Sequence, residues 1–193
     1  MLLACLLGRI GADAASARAG RSFLAAELTL AYLVAGLSKA TSGCWRSGNA
    51  FTIIAQTRMY SQPTAARVIR TYPAVGRAAG HAVLAWESLF ILALTAPPAL
   101  VVAPLAVGVG FHAGCAIVMG LNRFLWAFAA GYPALLCTNI AVRAEVGAST
   151  ANAITIAVGV LGMLALAAGG GIGPTLAGER GRPSRLASRG GGR

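Results

Sequence analysis

Lys39 is the only lysine among sixteen basic residues. It closes the apolar run Ala31-Tyr32-Leu33-Val34-Ala35-Gly36-Leu37-Ser38 and is followed by Trp45-Arg46-Ser47-Gly48. Two chemistries suit an amine in that position. It can be an interfacial anchor that carries its charge out to lipid headgroups. It can also be a base or nucleophile, when burial favours the neutral amine. Glu27, Glu87 and His112 also fall inside apolar runs. An ionisable group there is costly in lipid and must face protein or water, so each is a candidate intramembrane site residue. For Glu27 the alternative is a pair with Arg21 or Arg18 near the interface. Glu27 and Lys39 are twelve residues apart, about 18 Å along a helix, and cannot pair within one straight helix.

The elements that must position these groups are membrane spans. The 193 residues are 57% hydrophobic and only 11% charged, with a mean hydropathy of +0.72, whereas soluble chains carry about 25% charged residues. The net charge of +11 does not point to nucleic acid, because the arginines sit in connections and tails and not along one face. The partner that composition implies is the lipid bilayer. Cys5, Cys44, Cys115 and Cys137 show no CxxC or CxxH spacing, so neither a metal site nor a disulfide framework is expected.

In chain order, Met1–Leu7 is too short to cross about 30 Å of hydrocarbon. Its arginine follows the apolar core, unlike a signal peptide. Residues 1–21 read as an N-terminal segment, the remnant of a preceding span in a truncated gene product. Spans are expected at Ser22–Lys39, Ala79–Ala96, Ala99–Leu121, Phe124–Val142 and Asn152–Ala168. Pro104 and Pro133 are expected to kink the third and fourth. Asn49–Met59 and Thr64–Tyr72 read as interfacial helices. Residues 22–170 thus form an all-α, polytopic transmembrane bundle, and 171–193 an Arg/Gly-rich disordered tail. With five spans, eleven arginines fall on the side of the 40–80 loop, the Asn122-Arg123 turn and the tail, and four on the other. The positive-inside rule makes the first side cytoplasmic, so the chain reads as a multi-pass protein of the cell membrane.

Gly36-Leu37-Ser38-Lys39, Trp45-Arg46-Ser47-Gly48 and the later Phe111-His112 with an apolar run through Phe124 resemble the HTTM domain. That membrane domain is shared by bacterial HTTM proteins and vitamin K-dependent gamma-glutamyl carboxylase. The likeness covers roughly 24–136. It implies that Lys39 occupies the position of the base that, in the carboxylase, deprotonates the vitamin K hydroquinone, and that His112 lies near the site. The chain differs in having no large soluble C-terminal half and in placing Lys39 on the cytoplasmic side by charge count. Two functions follow. One is a non-catalytic membrane protein, an accessory, immunity or export-related partner of another membrane or exported protein, in which the ionisable groups lock helix packing. The other is a membrane enzyme acting on a quinone-like or other lipid-soluble molecule. There Lys39 is the base, and Glu27, Glu87 and His112 are its polar companions.

Overall fold

A computed structural model of the chain describes residues 14–57 and 62–169. The expectations for the apolar start and the Arg/Gly-rich tail lie outside these residues. The described residues are helical, without strands. In order they form α1 (Ala14–Thr41), the short α2 (Gly43–Arg46) and α3 (Ala50–Ile54), α4 (Pro63–Thr71) and α5 (Pro73–Leu89). A 3-10 turn (Phe90–Leu94) is followed by α6 (Pro98–Met119), α7 (Asn122–Ala129), α8 (Tyr132–Val146) and α9 (Ala148–Gly169). Five stretches among them are long and apolar enough to cross a membrane: Ala14–Thr41, Pro73–Leu94, Pro98–Met119, Asn122–Val146 and Ala148–Ala168. Large apolar side chains such as Leu30, Ile117, Ile156 and Leu161 are exposed on the outside of the bundle. That is the surface of an integral membrane protein in a lipid solvent.

Three expected boundaries move for identifiable reasons. The first span begins at least eight residues before Ser22, because nothing in Ala14–Arg21 interrupts a helix. The second begins at Pro73, where the missing N–H of proline costs nothing in the first turn. The fourth does not merely kink at Pro133. It divides into α7 and α8, because the proline ring and absent donor stop α7 short of it. The chain restarts with Pro133 in the first turn of α8. By contrast α6 runs unbroken through Pro104, and the Trp86 indole donates to the Pro104 carbonyl at 3.2 Å. The expected interfacial helix at Thr64–Tyr72 is present as α4. The one at Asn49–Met59 is reduced to α3, and residues 58–61 lie outside the description.

The bundle is centred on α1, which packs against α5 on one side and α8 on the other, while α6 and α7 form an adjoining hairpin. Ala25, Leu28, Tyr32, Phe90, Val101, Tyr132 and Leu135 make the buried core. Where the second span ends, its carbonyls have no helical partners, and in hydrocarbon such groups must be satisfied internally. Fully buried Asn139 of α8 donates to the Ala93 and Ala96 carbonyls at 3.0 and 2.9 Å, and Arg143 donates to the Thr95 carbonyl. Gly36 lets α1 and α5 touch. A β-carbon there would stand 2.5 Å from the Ser88 nitrogen and 2.7 Å from its α-carbon.

Gly36→Ala is therefore expected to destabilise the protein by about 1–3 kcal/mol, the usual cost of overpacking a close contact. Gly114→Ala, where an added β-carbon meets nothing within 4 Å, is the matched control and is expected to be neutral. Unfolding in mixed detergent–SDS micelles reads both.

Candidate functional site

A helix repeats its face every three to four residues, which places Thr29, Tyr32, Gly36 and Lys39 on one stripe of α1. That stripe faces the bundle: Thr29, Tyr32 and Gly36 are buried. At its end the Lys39 Nζ donates to Glu87 Oε2 of α5 at 2.6 Å. The Glu87 side chain is 5% exposed and that of Lys39 20%. The ammonium is thus turned inward onto a carboxylate. The contact between α1 and α5 that Gly36 permits brings the two chains within reach.

The segment after α1 closes over this pair. Gly48 stands in the left-handed region at φ 73°, a conformation that glycine adopts without strain. Its N–H donates to the Trp45 carbonyl at 3.0 Å, and that of Asn49 to the Cys44 carbonyl at 2.9 Å. This turn holds the Trp45 ring with its centroid 5.1 Å from Lys39 Nζ, within cation–π range, and edge-on to Phe51. The spacing from Lys39 through Trp45 to Gly48 is the geometry of a lid: helix end, one short turn, then a glycine that reverses the chain.

Beneath the lid lies a cavity of about 300 Å³. Lys39, Glu87, Trp45, His112, Cys115 and Phe124 are among its lining residues, with Tyr32 at its base. His112 of α6 is buried and stacked on Phe128, with ring centroids 4.3 Å apart. Its Nε2 is 2.8 Å from the Tyr32 hydroxyl, which is in turn 2.7 Å from the hydroxyl of Tyr132. An adjoining, almost wholly apolar cavity of about 420 Å³ lies between α4, α5 and α6. Phe51, Phe111, Cys115 and Met119 line both.

Of the four residues singled out by sequence, three converge here: Lys39, Glu87 and His112. Glu27 does not join them. Twelve residues place it about 120° around α1 from Lys39. There it is exposed beside a shallow groove of about 190 Å³ formed with Leu24, Leu28, Phe128 and Gly131. Among the described residues it forms no ion pair with Arg18 or Arg21. Tyr32, Tyr132, Trp45 and Cys115 were missed as site residues. The signal for Tyr32 was available, since it lies seven residues before Lys39 and hence on the same face.

The chain matches no family model, no curated protein and no solved structure. Fold and cavity define an integral membrane protein in which Lys39, Glu87 and His112 line one half-open, aromatic-rich cavity.

Removing one member of a buried ion pair leaves the other charge uncompensated and commonly costs about 3–5 kcal/mol. Lys39→Met is expected to lose stability on that scale. The double substitution Lys39→Met/Glu87→Leu, which removes both charges, is expected to regain most of it. SDS unfolding midpoints of the two variants check the coupling.

Proposed function

We propose that this chain is a multi-pass cell-membrane protein of the HTTM kind. It takes a ring-bearing, quinone-like molecule from the bilayer into the Lys39 cavity and exchanges a proton with it. The observation that carries this reading is the convergence of Lys39, Glu87 and His112, from three different helices, on one aromatic-lined chamber of about 300 Å³. Such a chamber, mostly apolar with a few polar groups, suits a small amphiphile. The adjoining apolar cavity offers room for a hydrocarbon substituent. The resemblance of Gly36–Lys39, Trp45–Gly48 and Phe111-His112 to the HTTM pattern supports the same assignment.

The chemistry follows from the 2.6 Å bond between Lys39 and Glu87. Passage of the ammonium proton to the Glu87 carboxylate leaves an amine at Nζ. That amine takes the proton of a ligand hydroxyl and becomes ammonium again. The ligand leaves the step as an oxyanion beside a cation, and the proton resides on Glu87. A positively charged neighbour stabilises the developing oxyanion. The second reading is the packing lock, a non-catalytic partner protein. It is favoured by the mutual pairing of Lys39 and Glu87, which ties α1 to α5 without any ligand.

Titration of the protein in nanodiscs with 1,4-naphthoquinone separates the two. Saturable quenching of tryptophan fluorescence is expected, because Trp45 lines the chamber. Affinity is expected to fall about tenfold or more in Lys39→Met/Glu87→Leu, equivalent to at least about 1.4 kcal/mol. In Lys39→Arg, binding is expected to persist. Anaerobic absorbance spectra of bound 1,4-naphthohydroquinone should then show the anion in the native protein and the neutral form in the variant, because guanidinium does not give up a proton. Absence of saturable quenching in the native protein would leave the packing lock as the function of the pair.

A further inference from the structure

Tyr132, Tyr32 and His112 form a three-membered hydrogen-bonded chain across α8, α1 and α6. Its proton order can be derived. Each tyrosine hydroxyl has one proton to donate and can accept. The hydroxyl of Tyr132 has one partner among the described residues, Tyr32. Either proton order leaves one donor without a partner among the described residues, the Tyr132 hydroxyl or the imidazole N–H, and a buried donor without an acceptor is costly. Of the two residues only His112 lines the cavity, where water or a ligand can accept, so the favoured order is the one in which Tyr132 donates to Tyr32. The single proton of Tyr32 is then free for the remaining bond, and it goes to His112 Nε2. An Nε2 that accepts carries no proton, so the proton of the neutral imidazole sits on Nδ1.

His112 Nδ1 is buried and has no hydrogen-bond partner among the described residues. The ring is otherwise fully engaged: Phe128 stacks on one face, Phe124 lies parallel at 6.5 Å, and Tyr32 holds Nε2. Native structures rarely leave a buried polar atom without a partner, and the cavity that His112 lines is the place from which Nδ1 can be given one. The room for Tyr132 is also built in. A β-carbon on Gly108, one turn before His112 in α6, would fall on the Tyr132 hydroxyl. This position thus keeps the hydroxyl seated in the bundle.

We propose that Tyr132 and Tyr32 are positioning residues that fix His112 as the Nδ1–H tautomer, so that its free N–H is a hydrogen-bond donor for an acceptor oxygen of the molecule in the cavity. The last step rests on the ligand reading given above; the tautomer does not. With Lys39 as a second donor on the chamber wall, the site recognises ring molecules that carry carbonyl oxygens, in preference to hydrocarbon rings of the same size.

The test uses the full chain in nanodiscs with ¹⁵N-labelled histidine. A His81→Gln background removes the second histidine, which lies exposed against the Arg46 carbonyl. Without ligand, His112 is expected to show one neutral form with Nδ1 protonated. Gly108→Ala and Tyr132→Phe each break the chain at its head and are expected to give a mixture of tautomers. A single Nε2-protonated form in the unsubstituted chain, or an unchanged Nδ1–H signal in both variants, would overturn the proposal. Binding is read separately with 1,4-naphthoquinone and with naphthalene. The quinone is expected to bind about tenfold more weakly in Tyr132→Phe and Gly108→Ala, and naphthalene equally in all three proteins. Equal losses for both molecules would overturn the donor role. If the Nδ1–H form is found and naphthoquinone fails to bind the native protein, the ligand reading falls while the tautomer assignment stands.

Discussion

The bond between Lys39 and Glu87 is the constraint on which the arrangement turns. Charges taken from water into a low-dielectric interior must be paired and hydrogen-bonded, or the fold does not tolerate them. In a bundle surrounded by lipid there is little water nearby to relieve a misplaced one. The pair therefore dictates how α1 and α5 sit. Their backbones must approach closely, which is why Gly36 faces Ser88 with no room for a methyl group. The segment after α1 must turn back over the ammonium, which is why a glycine stands at position 48. Gly36, Trp45 and Gly48 look unrelated along the chain, yet all three serve the one ion pair.

Much of the scaffold is legible in the sequence, because crossing a bilayer imposes a length and a composition that hydropathy reports directly. Five apolar runs gave five membrane-length stretches, and Pro97-Pro98 marked the start of α6. The misreadings are local. The expected first span leaves out Ala14–Arg21, yet that stretch holds no proline and is rich in alanine, and α1 runs through it, Gly20 included. Pro133 was expected to bend a continuous helix. Instead the chain stops at Ala129 and restarts with Gly131 as the N-cap of α8 and Pro133 in its first turn, where the missing N–H costs nothing. Pro104 is the instructive contrast: α6 continues through it, six residues after its start at Pro98, although the same donor is missing there.

The site is less legible for a physical reason. Candidate residues can be named one by one from their cost in lipid, and Lys39, Glu87 and His112 were. Their convergence depends on how separate helices rotate against one another, which no spacing within one helix specifies. Lys39 and Glu87 are 48 positions apart, and Tyr32 and Tyr132 are 100. Tyr32 escaped notice because an aromatic residue in an apolar run resembles ordinary core. Only its register with Thr29, Gly36 and Lys39 reveals the polar stripe. Helical phase also separates Glu27 from the others: it shares their helix but not their face.

The burial of Tyr32 shows how the two halves of the site are joined. Its ring packs against Trp86, Phe90 and Phe128, so its position is fixed by apolar contacts on several sides. Its hydroxyl then has few directions in which to point, and a hydroxyl with a fixed direction transmits a fixed hydrogen-bond geometry to His112. The same α1 stripe that ends in Lys39 thus also carries, two turns earlier, the residue that is hydrogen-bonded to the histidine. One helix face therefore sets the relative placement of the Lys39–Glu87 ion pair and an imidazole, with Glu87 and His112 drawn from two other helices. Such an arrangement fixes the directions of the polar groups through apolar packing. On either side of Phe111, the α6 wall carries Gly110 and Gly114, with open space around both, and there the adjoining apolar cavity is bounded by small residues in place of oriented polar groups.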